Sequence, residues 1–507
     1  MRRFSVLTCT PILAAIVCST TASADVTAQQ VWDNWSAQMG IYGEGFTTGD
    51  VTQTGDTLTV SDVRIEMTDD EASIVADVGD LILTEQGDGT VSMTMASSYP
   101  LTISVTEAPS TQPTILNVTV AQDGMEIIVS GDPDTMVYDL SADTYSFTLD
   151  TIEGAAAEEV QLEVAELVMS DMAGNYAVVT DDLTTVNYEF SLGGLNLNAN
   201  ISEAGGANRF KGVASMADLA MAATIAMPLD MDMDADVPPF DEGLAIEGGY
   251  TFGAVNYDLD FVADGEGAIM NAGVEGGEMG FAFGYDAMSY AGGADGISIS
   301  MSLPQELPFP IEASLREYGF DFQIPLSQGE GDARDARMAF NFTDLAVSDT
   351  IWNLADPASV LPRDPVTIAL TLDAKVTPFF DLLDPAQQDA MMMTDVPGEL
   401  NSINITDLTL RGGGAEITGD GAFTFDNSDL TTFPGFPRPQ GEANFTINGI
   451  NGLIDNLITM GLIPQDQAMM PRMMLGMFAT PVGDDMLTST IGVNAQGHVL
   501  ANGQRLR

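Results

Sequence analysis

Cysteine is missing from almost the whole sequence. Only Cys9 and Cys18 occur, and both lie within the first 24 residues. Without that segment the chain can form no disulfide, no cysteine zinc site and no thiol nucleophile. A chain without cysteine fits an oxidising compartment, where stray thiols are a liability, but this absence alone does not establish one.

Histidine is nearly as scarce, since His498 is the single example. A Ser-His-Asp triad would have to use it, yet no G-x-S-x-G motif accompanies it. Metal sites with several histidines are impossible. The glycine-rich segments are followed by no lysine and no helix start, so they predict no phosphate site. We therefore interpret His498 as an ordinary strand residue and assign no catalytic, cofactor-binding or metal-binding residue.

Basic residues are few. The chain has 15 of them against 75 acidic residues, giving a formal net charge of −60, and Lys211 and Lys375 are its lysines. Such a surface repels nucleic acid and anionic lipid headgroups, so we expect no nucleic-acid partner. Adaptation to a saline environment is the interpretation we favour, and a dedicated metal-binding role is the alternative.

The N-terminus has the pattern of a secretory signal peptide over residues 1–24. Arg2 and Arg3 precede an apolar stretch centred on Ile12 to Val17, and Ala22-Ser23-Ala24 gives a small-x-small cleavage site. The apolar stretch is short for a membrane span. We expect cleavage after Ala24 and a periplasmic location, with a retained N-terminal anchor as the alternative.

The remaining chain, residues 25–507, has 483 residues and is long enough for several domains. No later apolar run predicts a transmembrane segment. Pro304, Pro308 and Pro310 mark a break. We therefore divide the chain into an N-terminal β-rich region, 25–302, and a C-terminal β-rich region with helices, 303–507; one continuous domain is the alternative.

One helix is predicted at the start of the first region. Thr27-x-x-Gln30 is a capping-box pattern, and Val31, Trp32, Trp35 and Met39 follow at helical spacing. Because the helix carries no Lys or Arg, we expect it to pack on the following sheet rather than lie on a membrane. From about residue 45 the apolar period becomes two, which predicts strands such as 57–65, 73–83, 91–95, 101–105, 114–120 and 126–129.

A repeated motif interrupts these strands. Its apolar residues step by two, then three, then two, around a small residue followed by an acid. A step of three moves side chains to the other face unless a β-bulge restores them. We predict bulges with an outward-pointing acid at Asp62, Glu166, Asp344 and Asp407, with weaker copies at Asp80 and Asp218.

The second region is mixed. Residues 377–393 are predicted to be helical in pieces, and two helices are predicted over 453–460 and 465–478, with strands near 487–493 and 498–501. The helix over 465–478 is rich in methionine, a pliable side chain that suits irregular apolar ligands. We favour a core of packed helices for this cluster, and an apolar binding surface is the alternative. Its members are Met469, Met470, Met473, Met474, Met477 and Phe478.

Carboxylates supply the remaining candidates. Asp230, Asp232, Asp234 and Asp236 alternate along the chain, with Asp241 and Glu242 downstream. Oxygen ligands suit Ca²⁺, but an EF-hand loop would need glycine where Ala235 stands, so a strand with one wet face is favoured. Paired carboxylates could also hydrolyse glycans, although no pair stands out.

Several short motifs in the second region resemble the domain of unknown function 2125 family, DUF2125, from alphaproteobacteria. They include Trp352 with Asp356-Pro357, then 361–365 (LPRDP), 397–400 (PGEL), Gly419-Asp420-Gly421 and the ending 501–506 (ANGQRL). The resemblance implies a family without an established activity. A looser likeness to AsmA-like envelope proteins implies long twisted sheets that form grooves for lipid.

Together these features predict a mainly β protein. We expect an elongated, twisted antiparallel sheet with bulged strand repeats, a short N-terminal helix and a few C-terminal helices. The favoured function is a non-enzymatic exported envelope protein that holds lipid or an envelope partner and uses no cofactor. A carboxylate-based glycan-acting enzyme and a Ca²⁺-stabilised structural protein are the alternatives.

Overall fold

The protein is mostly one antiparallel β-sheet. The structure is a computed structural model that describes residues 25–39, 45–69, 71–106, 112–133, 135–154, 157, 159–229, 239–329, 331–394 and 396–506. Within these ranges it has 27 strands joined in one sheet and five α-helices. The predicted mainly β fold, with a short leading helix and helices near the C-terminus, is confirmed.

Neighbouring strands of the sheet pair antiparallel throughout the described residues. Those before residue 230 are β1 Phe46–Thr47, β2 Val51–Thr54, β3 Thr57–Thr68, β4 Ala72–Glu85, β5 Val91–Thr94, β6 Ser98–Val105, β7 Thr114–Asp123, β8 Glu126–Asp132, β9 Thr135–Gly154, β10 Val160–Thr180, β11 Leu183–Glu203 and β12 Arg209–Pro228. Those that follow are β13 Ala245–Phe252, β14 Val255–Ala263, β15 Glu266–Val274, β16 Gly276–Phe283, β17 Ala287–Ser302, β18 Ile311–Pro325, β19 Arg334–Val347, β20 Val366–Pro378, β21 Gly398–Gly412, β22 Ala415–Asp426, β23 Arg438–Asn448, β24 Thr480–Gly483, β25 Met486–Val493, β26 Val499–Ala501 and β27 Gln504–Arg505.

The helices lie before and between strands. They are α1 Ala28–Met39, α2 Asp349–Ala355, α3 Pro385–Met392, α4 Ile450–Thr459 and α5 Met469–Phe478. Helix α2 was not predicted. The stretch predicted to be helical in pieces over 377–393 contains one helix, α3, whereas residues 377 and 378 complete strand β20.

Long strands and pairs of shorter strands share the sheet. Strand β9 pairs with both β7 and β8, and β12 pairs with both β13 and β14. Strands β15 and β16 likewise lie end to end along β17. Strands β17 and β18 then pair from Ala287↔Pro325 to Met301↔Ile311. The sheet therefore runs without a break past the prolines at 304–310.

The best-packed core lies at the N-terminal end, under α1. The capping box forms as predicted: the Thr27 amide donates to Gln30 Oε1 at 2.9 Å, and the Gln30 amide donates to Thr27 Oγ1 at 3.3 Å. Val31 and Trp32 then pack among the large side chains of β3 and β4. The predicted docking of this helix on the sheet is confirmed.

A transverse crease crosses the long strands. Asp171 of β10 and Asp218 of β12 have φ angles of 51° and 50°, in the left-handed region. Between them, on β11, Gly193 has no side chain, and a Cβ there would lie 2.8 Å from Asp171 Oδ2. Gly296 of β17 and Asp344 of β19 continue the line with φ angles of 62° and 58°. We name this line of residues the crease.

The crease explains the repeated acidic motif. Pairing shifts register around Asp62, Asp344 and Asp407, so the bulges predicted there are confirmed. Asp62, Asp218 and Asp344 have left-handed backbones, but β12 keeps its register with β11 across Asp218, so the weaker copy there is not a bulge. The bulge predicted at Glu166 is wrong, because Glu166 pairs in regular register with both neighbouring strands. In β10 the irregularities fall instead between Leu162 and Val164 and at Asp171.

The crease yields a stability prediction at Asp171. A left-handed backbone costs most residues about 1–2 kcal/mol, whereas glycine adopts it freely. We expect Asp171→Val to unfold at a lower denaturant concentration than Asp171→Gly. Its free energy of unfolding should be smaller by roughly 1–2 kcal/mol. Asp258→Val, at an exposed position of β14, controls for loss of the carboxylate. Equal midpoints for the two Asp171 variants would contradict the strained-crease explanation.

Candidate functional site

One face of the sheet carries an unbroken line of apolar positions. They lie directly opposite one another on eleven neighbouring strands, which are β9 to β13 and β16 to β21. We call this line the first apolar row, and its members are Tyr138, Tyr176, Tyr188, Ala223, Gly248, Phe281, Tyr290, Phe322, Met338, Leu372 and Ile405.

A second line runs beside the first, two residues away along each strand except β21, where the bulge makes the step three, from Ile405 to Leu408. Because strand side chains alternate between faces, it lies on the same face. We call it the second apolar row, and the surface of both rows the apolar face. Its members are Leu140, Gly174, Phe190, Met221, Tyr250, Met279, Gly292, Phe320, Phe340, Leu370 and Leu408.

The apolar face is open to solvent along its middle. Tyr188, Phe281 and Tyr290 are 45%, 39% and 42% exposed. The main helix contacts lie at the ends of the sheet, where α1 meets β3 and β4, α4 meets β22 and α5 meets β25. Neighbouring rings contact one another instead, with centroids 5.0 Å apart for Tyr176 and Tyr188. Aromatic and other apolar side chains therefore form a surface that the described residues leave open along its middle.

The face deepens next to α1. A concavity of about 540 Å³ is lined there by Trp35, Tyr138 and Tyr176, among other members of both rows. The Tyr138 hydroxyl donates to Asn34 Oδ1 at 2.7 Å, which ties α1 to the end of the first row. Burial, and to a lesser degree the neighbouring Tyr176, raises the pKa of Tyr138 to about 12. The phenol therefore stays uncharged at physiological pH.

Charged side chains occupy the other face. Arg337 immediately precedes Met338, so it points away from the apolar face. There its guanidinium contacts Asp321 at 2.6 Å and Asp373 at 2.5 Å. Arg411 and Arg316 both bind Asp344 at the crease, and these bonds lower the pKa of that carboxyl, Arg316 most strongly. The sheet thus separates an apolar face from a polar, ion-paired face.

The methionine-rich helix α5 does not form a core. Met469 and Met473 are 71% and 65% exposed, and Met470, Met474 and Met477 are also exposed. Only Leu475 and Phe478 of this helix are half-buried, against the end of the sheet. The favoured prediction of a packed helical core is therefore wrong, and the cluster is exposed apolar surface.

The metal and histidine candidates gain no support. Asp230, Asp232, Asp234 and Asp236 lie outside the described residues, whereas Asp241 and Glu242 lie in a single 3₁₀ turn, Phe240–Glu242. Among the residues that the structure describes, no three His, Cys, Asp or Glu side chains could hold a metal together. His498 lies in the turn just before β26, so the prediction that it is a strand residue is wrong by one position.

Within the described ranges, every carboxyl group whose pKa departs from its ordinary value has a lowered pKa. Asp286 beside Arg334, Asp426 beside Ser428 and Arg438, and Asp485 beside the amides of Asn451 and Gly452 are examples. A general acid of a glycosidase needs the opposite shift. No observation in the described residues singles out a catalytic pair.

The motifs of the second region stabilise corners of the fold. Asp356 is buried, and its Oδ2 accepts from the Leu361 amide at 2.8 Å. Arg363 bonds Asp349, Asn353 and Ser359, which holds the loop after α2. Each contact explains a motif position through local structure rather than chemistry.

One segment of the chain is similar to a known family. The family model described as uncharacterized protein conserved in bacteria, DUF2125, matches residues 308–499, which is less than half of the chain. We call this part of the chain the DUF2125 segment. No curated protein and no solved structure matches the chain. The DUF2125 segment contains β18 to β25, and β18 to β21 carry one end of both apolar rows. The likeness to AsmA-like proteins stays a prediction.

The helices of the described residues, inside and outside the DUF2125 segment, are all too short or too polar to span a bilayer.

The aromatic surface itself could not be found from any single strand. Each strand predicts one apolar side, but only the register between strands aligns those sides into rows. Among the sequence features, the tyrosine and phenylalanine positions at period two were the available signal.

Proposed function

We propose that the protein is a non-enzymatic periplasmic protein whose apolar face binds the hydrocarbon chains of a lipid. The observation that carries the proposal is the pair of apolar rows across eleven strands, with large side chains left open to solvent. Export by the predicted signal peptide would place this surface in the envelope, where lipid is the abundant apolar ligand.

The energetics favour an occupant. Fully burying one large apolar side chain is worth about 1.5–3 kcal/mol. The exposed large members of the rows, such as Tyr188, Phe281 and Phe322, would each gain part of this on being covered. Soluble monomers rarely expose apolar patches larger than a few hundred Å². A surface this long is therefore expected to be covered in the working protein.

The dimensions suit an extended chain. Strands lie about 4.8 Å apart, so eleven strands span about 48 Å. The rows run across the strands rather than along them, which makes a track that is long across the sheet. The concavity beside α1 lies at one end of this track, where Trp35 and Tyr138 line it.

The test is native mass spectrometry of the mature protein purified gently from periplasm, with lipid analysis of its organic extract. We expect a stoichiometric lipid adduct. An apo monomer that also fails to take up lipid from vesicles would overturn the proposal. So would a homodimer in which the apolar face is buried between copies, because that state would leave no room for a ligand.

Matched variants place the binding on the apolar face. The double variant Tyr188→Asp/Phe322→Asp puts two carboxylates on the first apolar row, at exposed positions. We expect it to fold and to lose the adduct, since a charge in contact with hydrocarbon is costly. The control Asn187→Asp/Gln323→Glu adds the same charge to the neighbouring positions on the opposite face. Equal lipid retention by both doubles would contradict the proposed site.

A further inference from the structure

We propose that the apolar face selects lipids whose polar end carries no net negative charge. This inference rests on the proposed function and narrows it to a class of ligand. The inference follows from the positions of the basic side chains and from their small number.

The apolar face itself offers no cation. Neither apolar row contains a charged side chain at any of its positions. Arg337, beside Met338, points to the opposite face, and Arg334, which alternation places on the side of Met338, contacts Asp286 at 2.8 Å. An anionic headgroup lying along the rows would therefore meet aromatic and aliphatic side chains only.

The arginines near the track are also engaged with carboxylates. Arg337 bridges Asp321 and Asp373. Arg316 and Arg411 share Asp344. A phosphate or carboxylate headgroup would have to displace one of these partners before it gained a guanidinium contact.

The overall field acts in the same direction. With 75 acidic and 15 basic residues, the protein surrounds the track with negative potential. Such potentials change local ion concentrations by roughly 10-fold or more at low ionic strength, and salt screens them. A headgroup that projects from the track is therefore repelled if it is anionic and tolerated if it is neutral or zwitterionic.

The experiment offers both classes at once. Mature protein is incubated with vesicles of equal parts dioleoylphosphatidylcholine and dioleoylphosphatidylglycerol, re-isolated, and its bound lipids are quantified. Because both lipids share one vesicle and the same chains, approach to the membrane and chain contacts cancel. We expect roughly 10-fold more phosphatidylcholine than phosphatidylglycerol at 0.02 M NaCl. At 1 M NaCl the screening length falls to about 3 Å, so the ratio should approach one.

A matched pair of variants tests the cause. Ala223→Lys places a cation on the first apolar row, whereas Ala222→Lys places it on the opposite face at the adjacent position. We expect the first to raise the bound fraction of phosphatidylglycerol and the second to leave the ratio near that of the unmodified protein. An equal ratio at low salt, or a preference for phosphatidylglycerol, would overturn the selectivity while leaving lipid binding intact. Uptake of neither lipid at any salt concentration would overturn the proposed function as well.

Discussion

Replacing Trp32 by alanine is expected to destabilise the protein by about 3–5 kcal/mol, the range observed when a large buried aromatic is truncated. Trp32 is 8% exposed and belongs to the core under α1. Its ring packs 5.8 Å from that of Trp35 and 6.3 Å from that of Phe46. Truncation leaves a cavity that strands β3 and β4 cannot refill, because both are held by neighbours in the sheet.

The loss should be specific to the core. Trp35→Ala removes a half-buried ring at the end of the apolar face, so we expect a smaller cost in stability and a loss of contact with ligand there. Leu354→Ala, at a residue that is 69% exposed on α2, should change the free energy of unfolding by no more than about 0.5 kcal/mol. Chemical denaturation of the three variants provides the comparison. A Trp32→Ala midpoint close to that of Leu354→Ala would show that α1 is not part of a cooperative core.

This core was partly predictable because its cause is local. The capping box at Thr27 and Gln30 and the apolar spacing that follows both act within α1, so sequence alone predicts the helix and its apolar side. The bulges at Asp62 and Asp344 were predictable for a similar reason. A step of three in an alternating apolar pattern moves the following side chains to the other face of the strand unless a bulge restores them.

Features that depend on distant partners were harder to predict. In β10, steps of three occur on both sides of Leu167, and only pairing with β9 and β11 shows that Asp171 carries the left-handed turn. Helix α5 is apolar on most of its circumference, so its pattern could not show that the sheet contacts Leu475 and Phe478 and leaves the methionines outside.

The alignment of the apolar rows is the clearest case. Tyr188 and Ala223 lie 35 positions apart in the sequence, and they face one another only because β11 and β12 pair in one register. A shift by one residue would turn one of these strands' apolar side to the opposite face. The candidate site is therefore a property of the whole sheet, which explains why the residues suggested a ligand-binding groove only through resemblance.

Raising NaCl from 0.02 to 1 M is expected to raise the melting temperature, by roughly 5 °C or more. Two effects of salt oppose each other. Screening weakens ion pairs such as Arg64 with Asp77 and Arg209 with Asp260, but exposed pairs of this kind contribute only about 0–1 kcal/mol each. Screening also relieves repulsion among carboxylates, which outnumber the basic residues by 60. Because most carboxylates have no basic residue to pair with, the relief of repulsion should dominate.

A charge variant separates this cause from a general effect of salt on apolar burial. Asp181 and Asp182 are exposed neighbours in the turn between β10 and β11. Asp181→Asn/Asp182→Asn should raise the melting temperature at 0.02 M NaCl and leave it almost unchanged at 1 M. A melting temperature that is flat or falling with NaCl would contradict the repulsion argument. Millimolar Ca²⁺ that stabilises more than NaCl of equal ionic strength would instead indicate specific binding, and the alternating carboxylates from Asp230 to Asp236 would be the first residues to substitute.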